Sequence, residues 1–370
     1  MKQKILFSII LLLVFSYGML AGSYKIFPYE YLDKLKHNIF LQTANSTLES
    51  SLIFETDTQS LIHINDKNDV LEKRIQLRNF IWKQNFPHSL IPTVTNDIHD
   101  SNFDGFSNLA RIDLYVVNME YGVDSKAYLF TPTNPNDSLI IYHHGHSNGF
   151  HDARNVITFF LNKGYSVLAF SMPLKGINNQ PIVDHPDFGK IKLTSHDMFV
   201  FLESDQFSPI KYFVEPIFIS LNYVDTNYNF DSYHMLGISG GGWTTTLYSA
   251  LDDRISASYS IAGSVPIYLR SIPENLGDYE QITPDLYRIA EYLDLYVMAA
   301  YGDHRKHMQI FNKYDPCCFG GLVSKTYENE VKSKISSLNE GNFEIFIDES
   351  HREHKISDIS LNYIYNDLQK

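Results

Sequence analysis

The chain alternates between blocks that are apolar throughout and blocks whose apolar residues recur with a helical period. The longest apolar block comes first. Lys2 and Lys4 precede "ILFSIILLLVFSYGMLAGSY", a charge-free stretch from Ile5 to Tyr24 closed by Lys25. At a rise of 1.5 Å per residue, a helix over this stretch spans roughly 30 Å, the thickness of a bilayer's hydrocarbon core. A cleaved signal peptide has a shorter apolar region and a small-x-small site, of which "MLAGS" is a poor version. Residues 1–24 are therefore read as a signal anchor and transmembrane helix, with a cleaved signal as the alternative. Both readings export the rest of the chain: the remainder is either held at the outer face of a membrane (periplasmic or extracellular) or secreted. Within a juxtamembrane and N-terminal extension over 25–108, Val70, Leu71, Ile75, Leu77, Ile81 and Trp82 recur near helical spacing and predict a helix.

From residue 109 the rhythm changes. "ARIDLYVVNMEYGVDSKAYLFTP" predicts two strands joined near "EYGVDS". "SLIIYHHG", "YSVLAFSMP", "SYHMLGIS", "ISASYSIAG", "LDLYVMAAYG" and "FEIFID" read as further strands. "DARNVITFFLNKG", "GWTTTLYSALDD", "KTYENEVKSKISSL" and "SDISLNYIYNDL" read as helices between or after them. This alternation predicts an α/β domain over 109–370, with a mostly parallel central sheet, helices on both faces and an antiparallel edge from the leading hairpin. Residues 174–229 interrupt the rhythm with prolines and aromatics. They are read as a cap-like insertion over the C-terminal edge of the sheet, where ligands usually sit, or more plainly as a decorated crossover helix.

Composition narrows the function. The chain has 370 residues, 44% of them hydrophobic and 14% aromatic, enough for a sizeable core. A formal charge of −13 argues against nucleic acid as a partner. The two cysteines, Cys317 and Cys318, are neighbours, so no disulfide framework is expected. Cysteine and histidine do not fall at zinc-site spacing, and no metal or organic cofactor is expected.

The chemistry centres on "YHMLGISGGGWTTTLYSA". Gly237-Ile238-Ser239-Gly240-Gly241 is a G-x-S-x-G pattern set after a strand and before a helix, the setting of a nucleophile elbow. The turn is so tight that residues around the serine must be small. A nucleophilic serine also needs donors for the oxyanion. His144-Gly145-His146, at the end of "SLIIYHHG", places the backbone N–H of His146 as one donor, with that of Gly240 as the other. Three histidines in four residues also suggest a metal, but neighbours on a strand point to opposite faces and seldom converge on one ion. The base and its orienting acid should follow in the order serine, acid, histidine. "YGDHRKHMQIFNKYDPCCF" offers Asp303 and Asp315; "FIDESHREHKIS" offers His351 and His354. Asp315 is favoured because its neighbours are aromatic and apolar and a triad carboxylate should be buried. His354 is favoured because it stands three residues before Ser357, which reads as the N-cap of the closing helix. His196, in "SHDMFVF", is read as a surface or packing histidine.

Taken together, "HHGH", "GISGGGW", the acid loop and the terminal histidines resemble an α/β-hydrolase, similar to the dienelactone hydrolase, acetyl xylan esterase and prolyl-oligopeptidase-like branches. The resemblance covers about 109–370. It implies a serine hydrolase with Ser239 as nucleophile, a histidine near 354 as base and an aspartate after the penultimate strand. The expected activity is hydrolysis of a small-molecule carboxylic ester or acyl substrate. Two rivals are a peptidase or amidase on the same triad and a non-catalytic binding protein on a hydrolase scaffold.

Overall fold

The computed structural model of the chain describes residues 14–19, 56–83, 85–270, 276–317 and 319–370. It divides into two compact units, Met1–Glu55 and Thr56–Lys370. In the first unit only residues 14–19 are described; they are helical and exposed. The rest of the expected anchor lies outside the described residues, among which no helix is long and apolar enough to cross a membrane.

Among the described residues, the second unit is built on eleven strands. They are β1 (Thr93–Thr95), β2 (Leu109–Asn118), β3 (Asp124–Pro132), β4 (Ser138–His143), β5 (Ser166–Phe170), β6 (Ile182–His185), β7 (Gly189–Lys192), β8 (Ser232–Ile238), β9 (Ile255–Ile261), β10 (Lys306–Asn312) and β11 (Asn342–Asp348). Nine of them form one sheet in the order β1-β2-β3-β5-β4-β8-β9-β10-β11. β1, β2 and β3 pair antiparallel at one edge, and β3 joins β5 antiparallel. From β5 across to β11 every pairing is parallel. The chain runs from β4 to β5 on one side and returns to β8 on the other. β4 and β8 thus flank the point where strand order reverses, where the carboxyl ends of the strands leave a crevice.

Side-chain alternation along the strands feeds two cores. Leu139 and Ile141 of β4 join one, with Met235 of β8; Ile140 and Tyr142 join the other, with Leu236 and Ile238. The first core is covered by α1 (Lys67–Trp82), the second by α2 (Arg154–Leu161). Further along the chain come α3 (Lys211–Asn227), α4 (Gly240–Leu251), α5 (Tyr279–Ile282), α6 (Pro284–Ile289), α7 (Tyr292–Ala300), α8 (Glu328–Leu338) and α9 (Asp358–Leu368). Of these, α3, α4, α7 and α8 add to the first core and α9 to the second. Residues 56–108, expected as part of an extension, belong to the same compact unit, and Val70, Leu77, Ile81 and Trp82 of α1 are buried in its core.

One expectation needs correction. "LDLYVMAAYG" is not a strand but α7, opened by a capping box between Glu291 and Asp294. All nine of its residues are buried, so it shows no polar face, and periodicity cannot separate such a helix from a buried strand. The strand is instead β10, whose Lys306, His307 and Gln309 disguised it. The 174–229 segment holds two distinct elements. Residues 182–192 form a small β6-β7 hairpin away from the main sheet, whereas α3 is a buried crossover helix packed on β2 and α4.

Candidate active site

β8 ends at Ile238, α4 begins at Gly240, and Ser239 alone makes the turn. Its backbone sits at φ 57°, ψ −128°, which costs an L-residue roughly 1–3 kcal/mol and persists only where the surroundings enforce it. The enforcing bonds are visible. The Ser239 N–H donates to the carbonyl of Ile261 on β9 at 2.9 Å, and the Ser239 carbonyl accepts from Gly242 and Trp243 as α4 starts. Gly241 is held to glycine by the neighbouring strand end. A Cβ there would lie 2.6 Å from the carbonyl oxygen of His144 and closer still to that of His143.

The loop after β4 packs on this turn. A Cβ on Gly145 would lie 2.8 Å from the Cβ of Ser239 and 3.4 Å from its Oγ. "HHGH" therefore lies against the serine. Among the described residues, the backbone N–H groups of His146 and Gly240 have no hydrogen-bond acceptor. The histidines of this loop diverge, as alternation requires. His143 is buried and its pKa falls to about 3 through burial, which outweighs its bond to the His144 carbonyl. His144 falls to about 4, again through burial, and its ring bonds Tyr142 and Ser147. His146 rises to about 9: burial opposes its charge, but the carboxylates of Asp278 and Glu280 outweigh that. Beside His146 opens a cleft of about 590 Å³, lined by Ser147, Asn148, Leu174, Lys175 and Asn178 among others.

On the neighbouring loops, Asp315 follows β10 and His354 follows β11. The Nδ1 of His354 lies 2.7 Å from Oδ2 of Asp315, whose side chain has no exposure. Asp315 is held in turn by the Cys317 N–H on Oδ1 at 2.8 Å and by the amide of Asn312 at 3.4 Å on Oδ2. The opposite nitrogen of His354, Nε2, is buried and has no hydrogen-bond partner among the described residues. Ser357 caps α9 as its sequence context suggests, accepting from the Ser360 N–H.

The other aspartate and histidine lie elsewhere. Asp303 is in the turn between α7 and β10, with a side chain 87% exposed beside His304. It is not at a strand's carboxyl end, because the strand expected before it is a helix. His351 lies 3.6 Å from Asp348, which it does not bond. Asp348 is occupied by the hydroxyls of Ser350, Ser357 and Ser360, which overcome partial burial and hold its pKa near 2. One expectation about cysteine also changes: Cys317 is disulfide-bonded.

Sequence reasoning missed three residues beside this site. His196, read as a surface or packing group, is buried and packs on Phe199 and Phe213, as the packing reading has it; its contact with His146 was not foreseen. Asp278 and Glu280 meet the same histidine. Neither acid carried a local signal in the sequence, since they reach His146 from far along the chain.

No protein-family model and no curated protein sequence matches this chain. Solved structures do. It superposes on the acetyl xylan esterase from Paenibacillus sp. R4 with a TM-score of 0.54 and 13% identity, over 84% of this chain and 98% of that one. The chain has the α/β-hydrolase fold. Two further structures share this fold. Acetyl xylan esterase 1 from Thermoanaerobacterium sp. JW/SL YS485 has a TM-score of 0.50 at 14% identity, covering 84% of this chain and 96% of that one. The methylesterase BT1017 has a TM-score of 0.53 at 13% identity, covering 81% of this chain and 62% of that one.

Proposed function

We propose that this α/β-hydrolase-fold chain is a serine hydrolase of carboxylic esters. The observation that carries the reading is the left-handed backbone of Ser239 on a strand-to-helix corner, since a side chain is kept at such a position when it is needed there. The Nδ1–H of His354 donates to Asp315, which fixes the tautomer and leaves a lone pair on Nε2. That nitrogen takes the Ser239 proton as Oγ attacks the acyl carbon. The N–H groups of His146 and Gly240 receive the oxyanion, and as backbone dipoles they need no reorganisation when charge develops. His354 then protonates the leaving alcohol. Water, deprotonated by the same nitrogen, releases the acid and restores the serine. The esterases that share the fold support an ester over an amide as substrate.

The test is hydrolysis of p-nitrophenyl acetate by the wild-type chain and by Ser239→Ala. The variant should lose several orders of magnitude in kcat, down to the roughly thousand-fold residual over water that an oxyanion site alone provides. Wild-type turnover in the variant would overturn the assignment. The proposal also keeps residues 1–24 as a membrane anchor with the catalytic unit exported, on the charge-free run from Ile5 to Tyr24. Full-length chain should stay with membranes through a high-salt wash; release by salt, or a mature N-terminus near Gly22, would defeat the anchor.

A further inference from the structure

We propose that His146, His196, Asp278 and Glu280 form a binding site for one divalent metal ion of the zinc class, beside the serine turn and through side chains that the serine chemistry does not use. The four residues come from three separate segments: the loop after β4, the 3-10 turn His196–Phe201, and the start of α5 with the residue before it. One donor atom from each lies within 4.8 Å of all the others. His146 Nε2 is 2.7 Å from Asp278 Oδ2, 3.1 Å from Glu280 Oε1 and 3.1 Å from His196 Nδ1. Glu280 gives its second oxygen to His196 Nδ1, also at 3.1 Å.

Hydrogen bonding alone accounts poorly for this set. One imidazole N–H can point at one acceptor, yet two carboxylate oxygens and an imidazole nitrogen crowd His146 Nε2. His196 Nε2 is 2.9 Å from the carbonyl of Pro173, an acceptor that can only take a proton. That fixes the tautomer of the neutral ring and turns the Nδ1 lone pair into the cluster. Second-shell bonds of this kind orient histidine ligands in metal sites. Two imidazole nitrogens at 3.1 Å are also close to the ligand–ligand edge of about 3.3 Å that Zn–N bonds near 2.05 Å give in a tetrahedron. Glu280 has no exposure and His196 almost none, so the carboxylate charge must be balanced inside the cluster, by an imidazolium without the ion or by the ion itself. Two imidazoles with two carboxylates suit zinc and its borderline neighbours better than calcium or magnesium, which prefer oxygen alone.

The position gives such an ion a structural task. A Cβ on Gly240 would lie 2.7 Å from Nδ1 of His146, so that ring rests on the serine turn. An ion on its other nitrogen would tie the loop that bears His146 to the insertion that bears His196 and to α5.

The test uses full-length chain in detergent micelles, stripped with chelator and titrated with zinc sulfate by calorimetry. Wild type should bind one ion per chain with a dissociation constant of about 10 μM or tighter. His196→Ala and Asp278→Asn should each weaken binding tenfold or more, and cobalt should give the visible absorption of a tetrahedral ion that zinc abolishes. Asp278 is 45% exposed, so its variant decides the question should His196→Ala fail to fold. Absence of 1:1 binding by folded wild type, or a change under tenfold in Asp278→Asn, overturns the site. Ser239→Ala should bind zinc as wild type does, which keeps this result independent of the serine reading.

Discussion

Replacing Asp315 by Asn changes one atom and should remove most activity. In the native chain, Oδ1 accepts from the Cys317 N–H at 2.8 Å and Oδ2 accepts from His354 at 2.7 Å. The asparagine oxygen is held to the Cys317 side, because the backbone N–H there needs an acceptor. Its amide nitrogen must then face His354 and also the amide of Asn312, which stands 3.4 Å from that position. A donor now meets Nδ1, so the imidazole carries its proton on Nε2, the nitrogen that must act as base. Elsewhere the equivalent change costs about 10⁴ in kcat, or roughly 5.5 kcal/mol of barrier. We expect kcat/KM on p-nitrophenyl acetate to fall by at least about 10³, with the thermal midpoint close to wild type. Asp303→Asn, at a site 87% exposed, should stay within about tenfold. A folded Asp315→Asn variant within tenfold of wild type would refute the reasoning, as would a large loss in Asp303→Asn.

Other outcomes follow from the same geometry. Gly241→Ala pushes a methyl into the carbonyls of His143 and His144, which the sheet holds in place; chemical denaturation should show a loss of about 3 kcal/mol or more, or no soluble protein. Trp82→Ala removes a ring packed edge-on to Phe86 and Phe218 and bonded to Glu215, and should cost about 3–5 kcal/mol by the same assay if α1 is part of the core. Burial lowers His307 to about 3 and His234 to about 4, so both bind protons more weakly folded than unfolded. Their contribution is present above about pH 6.5 and is lost as pH falls toward those values, by up to about 1.4 kcal/mol per pH unit for each. Unfolding free energy should therefore drop between pH 6.5 and 4, and His307→Gln should flatten that slope; an unchanged slope would contradict it. Deleting residues 1–24 should leave kcat/KM within about threefold, measured on the soluble chain.

Legibility differed from one part of the chain to another. The β8–Ser239–α4 corner was readable because its glycines, apolar strand and helix start are contiguous. The hairpin of β2 and β3 and the closing α9 were readable for the same reason, and so was the burial of Asp315, which its neighbours "KYDPCC" signal locally. α7 was misread because a helix buried all round has no period to detect, although Glu291 and Asp294 at its start were a usable signal. β10 was hidden by Lys306, His307 and Gln309, polar groups that tertiary partners satisfy: His307 bonds Ser258, and Gln309 accepts from Tyr327. The meeting of His146 with His196, Asp278 and Glu280 was not readable at all. It depends on how the insertion and α5 fold back on the loop after β4, and no local pattern encodes that.

The central claim is that Ser239 is an activated nucleophile, and covalent labelling tests it most directly. Folded wild-type chain is treated with a fluorophosphonate, digested and mapped by mass spectrometry. The account predicts a single adduct on Ser239, formed within minutes, slowed at least a hundred-fold in His354→Gln and blocked by prior denaturation. A folded chain that does not label, or one whose adduct lies on another residue, would contradict it.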